Sequence, residues 1–365
     1  MIGVADDFTA GPAVGTTART GSAQSPAAPD PAPAAGRASA RPATGGQVAS
    51  SGQAGPVPAR GTRSTSRWRI RLEIIGFTAP ALLLFAFFVV WPIMKAVQFS
   101  VYRWKGFGPL VDFVGLQNYV RVLQDDVFIG AMVHNLIIVV ASIAIQLPLG
   151  LGIALLLNRK MRGQGVLRTI IFVPYVLAEV VAGVVWFQLL QPRYGVIDTL
   201  LAAVGLSGPE QGWLGDPEIA LWTVIVVLTW KYLGLAVILL LAGLQGVPEE
   251  LSEAAQIDGA SWWQTQFRIT IPLVGPTIRT WVFLSMIGSL QLFDMVWILT
   301  GGGPANATTT MATFLVNEGT KRQNYGIAGA ASVILFVVAL TLALLYQRLV
   351  LSRDTTDRPR KKVQR

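Results

Sequence analysis

The chain has 365 residues, of which 52% are hydrophobic and only 13% charged; a soluble domain carries roughly twice that charged fraction, so much of this surface faces lipid. With no cysteine and one histidine, His134, disulfide frameworks, thiolate catalysis and multi-histidine metal sites are excluded, and no metal or cofactor is expected. The formal net charge of +9 does not point to nucleic acid, because the cations cluster beside apolar segments and at the C-terminal end, which suits the cytoplasmic leaflet of a membrane.

Residues 1–66 are mostly Ala, Gly, Pro, Ser and Thr with scattered Arg and no apolar periodicity. Such a segment cannot bury enough surface to offset its ordering entropy, so a disordered cytoplasmic tail is expected. It is not a signal peptide, since Asp6 and Asp7 sit where cations belong and no apolar core follows. From 67 to 352 the sequence predicts an all-α polytopic domain with six transmembrane helices, each near the ~20 residues that cross a bilayer core. The segments run from about Leu72 to Trp91, Ala131 to Leu157, Val166 to Leu190, Ile219 to Leu244, Ile278 to Thr300 and Gly326 to Val350. They are too long for barrel strands and lack period-two alternation. A basic cytoplasmic tail, 353–365, closes the chain.

Cations set the orientation. Arg63, Arg67, Arg69 and Arg71 precede the first segment, and Arg159, Lys160, Arg162 and Arg168 fill the connection between the second and third. Arg348, Arg353, Arg358, Arg360, Lys361, Lys362 and Arg365 follow the sixth. Six crossings put all three groups on one side, which is then cytoplasmic, with both termini inside. His134, near the start of the second segment, is expected at the membrane interface.

Ionisable residues within spans are costly and are functional candidates by default. Glu179 lies in the third segment, Lys231 near the middle of the fourth, and Asp294 in the outer part of the fifth. A Lys231–Glu179 or Lys231–Asp294 pair serves either structure or transport. On a helix of ~100° per residue, Ser285, Gly288 and Ser289 share one arc of the fifth segment, while Gln291 and Asp294 fall on the opposite one. The small arc suits close helix packing. The polar arc, with Trp297 nearby, offers hydrogen bonds for hydroxyls and a ring face for stacking, although Trp near a span end is more often an interfacial anchor. Gly301-Gly302-Gly303-Pro304 reads as a helix stop and tight turn. The small residues Gly326, Ala328, Gly329, Ala330, Ala331 and Ser332 favour close contact with another helix, within the chain or on a second subunit.

Between the fourth and fifth segments lies "EELSEAAQIDGASWWQTQFRITIPLVGP", Glu249 to Pro276. Glu249 and Glu250 suit a helix N-terminus after Pro248. Gly259 supplies the left-handed residue that stops the helix. Ser261 and Gln264 form a capping box for a second helix carrying Trp262, Trp263 and Phe267, limited by Pro272. Glu249 and Glu253 make an acidic stripe, and Ala254 and Ala255 allow close approach of a partner. An amphipathic pair resting on the membrane is the competing reading, although a basic face would be expected there.

The run Glu253-Ala254-Ala255, then Gly259, Ile269 and Ile271-Pro272, resembles the EAA loop of permease subunits in binding-protein-dependent ABC importers. Asp258-Gly259-Ala260, Phe267 and Pro276 extend the likeness, and Ile271 stands where the family usually has leucine. "FDMVWILTGGGPANATTT", Phe293 to Thr310, is similar to the carbohydrate branch, the maltose, oligosaccharide and glycerol-phosphate permeases. The resemblance covers about 70–350. It implies a bacterial plasma-membrane permease for a sugar, with a homologous second permease, two cytoplasmic ATPase subunits and an extracytoplasmic sugar-binding protein as partners. It further implies that Glu253, Ala254, Ala255, Asp258 and Gly259 form a coupling helix docked on the ATPase, and it adds a contact with the binding protein for the Gly301–Pro304 turn. The sequence lacks G-x-x-x-x-G-K-[ST], so ATP hydrolysis falls to another subunit and no catalytic residue is expected here. The rival is a secondary transporter relaying protons through Lys231, Glu179 or Asp294. An embedded enzyme would need a convergent catalytic cluster, and a structural scaffold would tolerate loss of the in-span charges.

Overall fold

The computed structural model describes residues 67–159 and 161–351. The two predicted tails, 1–66 and 353–365, lie outside them. Every described element is helical, apart from one isolated bridge between Tyr102 and Phe113. Helix α1 runs from Arg67 to Phe85 and continues through a π-helical turn, Ala86–Val90, into Trp91–Ser100. After it come α2 (Gln117–Leu123), α3 (Asp126–Leu157), α4 (Gln164–Val176), α5 (Glu179–Leu189), α6 (Val196–Ala203) and α7 (Ala220–Gln245). Two shorter helices follow, α8 (Glu249–Ile257) and α9 (Trp262–Leu273). Then come α10 (Gly275–Leu290), α11 (Asp294–Leu299), α12 (Met311–Val316) and α13 (Tyr325–Leu351).

Helices α1, α3, α7 and α13 are each long and apolar enough to cross a membrane. Two bent pairs pass the same test taken together, for up to six crossings: α4 with α5, turned by 98°, and α9 with α10, turned by 65°. Two expectations change here. The third segment is an elbow rather than a straight helix, with Leu177 and Ala178 extended at ψ 140 and 142 between its halves. The fifth segment does not run to Thr300. Its helix stops at Leu290 and restarts at Asp294, so Ser285 and Asp294 do not share one helical wheel. The second segment starts earlier than expected, at Asp126, because Asp125 caps it by accepting the Val127 and Phe128 N–H groups at 2.9 and 3.2 Å.

Proline explains three irregular turns. The π-helical turns Ala86–Val90, Ser142–Gln146 and Gln266–Thr270 end two residues before Pro92, Pro148 and Pro272. A proline lacks the N–H and clashes with the carbonyl four residues back. A widened turn relieves that clash and lets the helix continue. Pro272 therefore does not end α9, which runs on to Leu273.

Burying small residues brings the helices together, as expected where lipid gives apolar side chains no reason to prefer protein. A Cβ on Gly150 of α3 would lie 2.9 Å from the Ala236 Cβ of α7. A Cβ on Gly329 of α13 would lie 2.8 Å from the Ala96 carbonyl oxygen of α1. The small-residue cluster at the start of α13 thus seats the end of α1 within this chain. Around α7 a buried core joins Val224, Val227 and Leu228 to Ala182 of α5 and Met295 and Val296 of α11.

Candidate functional site

A cavity of about 150 Å³ lies among α3, α7 and α10. Its polar lining is Ser142 and Gln146 from α3, Tyr232 from α7, and Ser285 and Ser289 from α10; Gly288, Trp281, Leu228 and Leu284 add apolar wall. The π-helical turn before Pro148 carries both Ser142 and Gln146, and the Gln146 amide donates to the Ser142 hydroxyl at 3.2 Å. Ser285, Gly288 and Ser289, the arc expected to pack against another helix, instead make room for this space. Hydroxyl and amide groups on an otherwise apolar wall can orient a neutral, hydrogen-bonding solute. Tyr232, Ser142 and Gln146 were not singled out from the sequence. Only the Pro148 that forces the wide turn signalled them, and it does not say where the turn faces.

The in-span candidates fall elsewhere. Lys231 is 1% exposed and donates to the carbonyls of Pro174 at 3.1 Å, Tyr175 at 3.0 Å and Leu177. Its ammonium is 3.6 Å from Glu179 Oε1, which also accepts the Tyr232 hydroxyl at 3.0 Å. Of the two pairings considered, Lys231–Glu179 is the one formed among the described residues. Asp294 opens α11 and is exposed, as is Gln291. Trp297 stacks on Phe293 with centroids 5.3 Å apart, and the Lys321 ammonium lies 4.7 Å from its ring centre. The five path candidates thus divide between the elbow and the ends of α10 and α11, and none of them lines the cavity.

The segment after α11 folds back into the protein. Gly301, at φ +60, stops α11 by donating to the Val296 carbonyl. Thr308, Thr309 and Thr310 are buried and bond back onto Gly303, Gly302 and Leu292. Asn135 of α3 donates to the carbonyls of Ser289 and Leu290 at the end of α10 and accepts the Met311 N–H that starts α12. His134 shares a 2.9 Å hydrogen bond with the Thr309 carbonyl. Its ring thus anchors the returning loop. Beneath Gly301–Gly303 lies a second, polar pocket of about 260 Å³, lined by Asn317, Glu318, Lys321 and Arg322.

On the opposite face, α8 and α9 form the expected helix–turn–helix. Glu249 and Glu250 occupy the first turn of α8, and Gly259 closes it at φ +79. Ser261 and Gln264 make the reciprocal capping box, with bonds of 3.3 and 2.7 Å. Ala255 faces inward and is 7% exposed, whereas Glu253, Ala254, Asp258 and Gly259 are exposed. Ile257 is 86% exposed, an apolar side chain held away from the protein's own core. The Arg159 guanidinium lies 4.5 Å from the Trp262 ring centre, which ties the end of α3 to α9. Trp263 stacks on Phe267 with centroids 5.9 Å apart.

Comparison with known proteins identifies the family. Residues 146–354 match a family described as the inner membrane component of binding-protein-dependent transport systems. The chain is 34% identical over 284 residues to the trehalose/maltose transport system permease protein MalF of Thermococcus litoralis, covering 77% of this chain and 95% of that one. It is 35% identical over 298 residues to the lactose transport system permease protein LacF of Rhizobium radiobacter, covering 80% of this chain and 99% of that one. In fold it is similar to a chain of a bacterial alginate ABC transporter solved with an alginate pentasaccharide-bound periplasmic protein. That likeness has a TM-score of 0.69 at 24% identity and covers 80% of this chain and 99% of the other.

Proposed function

This chain belongs to the family of inner membrane components of binding-protein-dependent transport systems, and we propose that it is the permease subunit of an ABC sugar importer. The observation that carries the reading is the exposed α8–Gly259–α9 unit, which lies inside the stretch that matches the family. Its exposed Ala254, Asp258, Gly259 and Ile257, beside Glu253, give a small, partly acidic knob suited to a cleft on a cytoplasmic ATPase. Ala255 points inward and ties the knob to the chain's own helices.

The importer contains this chain, a homologous second permease, two ATPase subunits and an extracytoplasmic sugar-binding protein. The chain itself makes and breaks no covalent bond, and a partner hydrolyses the ATP. Sugar is the substrate class because relatives matched along nearly their whole length belong to trehalose/maltose and lactose transport systems, and because the cavity offers hydroxyl and amide groups without a free charge. ATP binding closes the ATPase pair, α8 moves with it, and the helices reorient around the cavity.

The test is sugar uptake into vesicles containing the full complex, with trehalose, maltose and lactose as probes. ATP-dependent uptake that is lost on Glu253→Lys, together with loss of ATPase attachment, supports the reading. Uptake by this chain alone, without ATPase subunits, overturns it in favour of a secondary transporter.

A further inference from the structure

The cluster around Lys231 joins the elbow of the third span to the cavity wall. The Lys231 ammonium donates to Pro174 and Tyr175 in the last turn of α4 and to Leu177 in the link to α5. Its counter-ion, Glu179, is the first residue of α5. A cation is favoured at a helix C-terminus and a carboxylate at an N-terminus. One ion pair, 3.6 Å across, therefore matches both dipole ends of the 98° elbow. The next residue along α7, Tyr232, lines the cavity, and its hydroxyl donates to Glu179 Oε1 at 3.0 Å. With that proton committed to Glu179, the phenol oxygen has only lone pairs to offer a solute.

We propose that Lys231 and Glu179 are positioning residues for the transport cavity: they lock the elbow against α7 and hold Tyr232 so that its oxygen accepts a hydrogen bond from a sugar hydroxyl. This rests on the reading of the chain as a sugar permease. Neither charge need touch the sugar, and the clamp does not relay protons. Tyr232 selects for a hydroxyl that can donate.

The full complex in proteoliposomes tests this, using whichever of trehalose, maltose and lactose it transports and a set of monodeoxyfluoro derivatives of that sugar. Fluorine can accept but not donate, so one derivative should show a KM raised about five- to tenfold, the effect of one neutral hydrogen bond. Tyr232→Phe should raise the KM of the parent sugar by the same factor with Vmax within about twofold, and should abolish discrimination against that derivative. The double variant Lys231→Met/Glu179→Gln leaves no unpaired buried charge and should show the same raised KM, whereas Lys231→Arg, which keeps the donors, should restore it. A wild-type KM in Tyr232→Phe, or undiminished discrimination, overturns the proposal while sugar transport itself stands. A wild-type KM in the double variant reduces Lys231 and Glu179 to a stabilising pair and equally overturns it. Should the double variant fail to assemble, Tyr232→Phe with the fluoro derivatives decides alone. If the wild-type complex takes up none of the three sugars, the reading of the chain as a permease for them fails, and this proposal falls with it.

Discussion

Asn135 is fully buried in α3, and its side chain bonds only to backbone groups of other elements. It closes the end of α10 and the start of α12 at once, so one amide joins the returning outer loop to two helix ends. Replacing it with Ala leaves a buried N–H and a helix end short of partners, at about 1–3 kcal/mol per unsatisfied group. Asn135→Ala should therefore lower the unfolding midpoint in detergent, and Asn135→Asp, which keeps the acceptor for Met311 but sets a buried carboxylate oxygen against the Ser289 and Leu290 carbonyls, should lower it at least as far. An unchanged midpoint would show that Thr308–Thr310 and His134 hold the loop without it. Arg159 makes a different kind of contact. Both it and Trp262 are exposed, so the cation–π pair contributes only about 0.5–1 kcal/mol. Arg159→Ala should leave folding nearly intact but loosen α9 from α3, seen as more ATP hydrolysed per sugar moved. Arg159→Lys should fall between the two, and an unchanged ratio would show that this contact carries no motion.

Among the elements, those set by local rules were legible in the sequence. The α8–α9 unit follows from Glu249, Gly259 and the Ser261–Gln264 box, all of which act within one helical turn. Gly259 has open space around its missing Cβ, so Gly259→Ala meets only the strain of a left-handed backbone, about 1–2 kcal/mol. That variant should retain ATPase attachment with reduced uptake, whereas full uptake would show that the angle between the two helices is not critical. Gly329 is the opposite case, because its backbone conformation is ordinary but Ala96 and Ser100 fill the space beside it. Gly329→Leu should push α1 off α13 and lower the yield of folded protein in the membrane. What the sequence concealed at this scale were the breaks at Leu177–Ala178 and Gln291–Phe293, because neither carries a Gly or Pro within it. Apolar composition runs straight through both, so hydropathy reports one span where the chain makes two helices.

At the scale of the whole molecule, four long apolar helices and two bent pairs among the described residues agree with a count of up to six crossings. The chain carries no nucleotide-binding loop, so the purified permease alone should hydrolyse no ATP, and ATPase activity should appear only with its partners. Turnover by the isolated chain would contradict the division of labour between subunits. In the complex, hydrolysis and uptake should rise together when the sugar-loaded binding protein is added, since the outer loop and the α8 knob belong to one folded unit.

The sequence by itself determined the membrane class, the number of crossings, their orientation and the shape of the cytoplasmic loop. Each of these depends on composition or on interactions within about four residues. The lining of the cavity and the roles of the buried charges depended on the tertiary structure. Lys231 meets Pro174 across 57 positions of sequence, and Asn135 meets Met311 across 176. Hydropathy marks a lysine in a span as costly, but only the packed helices show which carbonyls absorb that cost and which wall is left open to the solute.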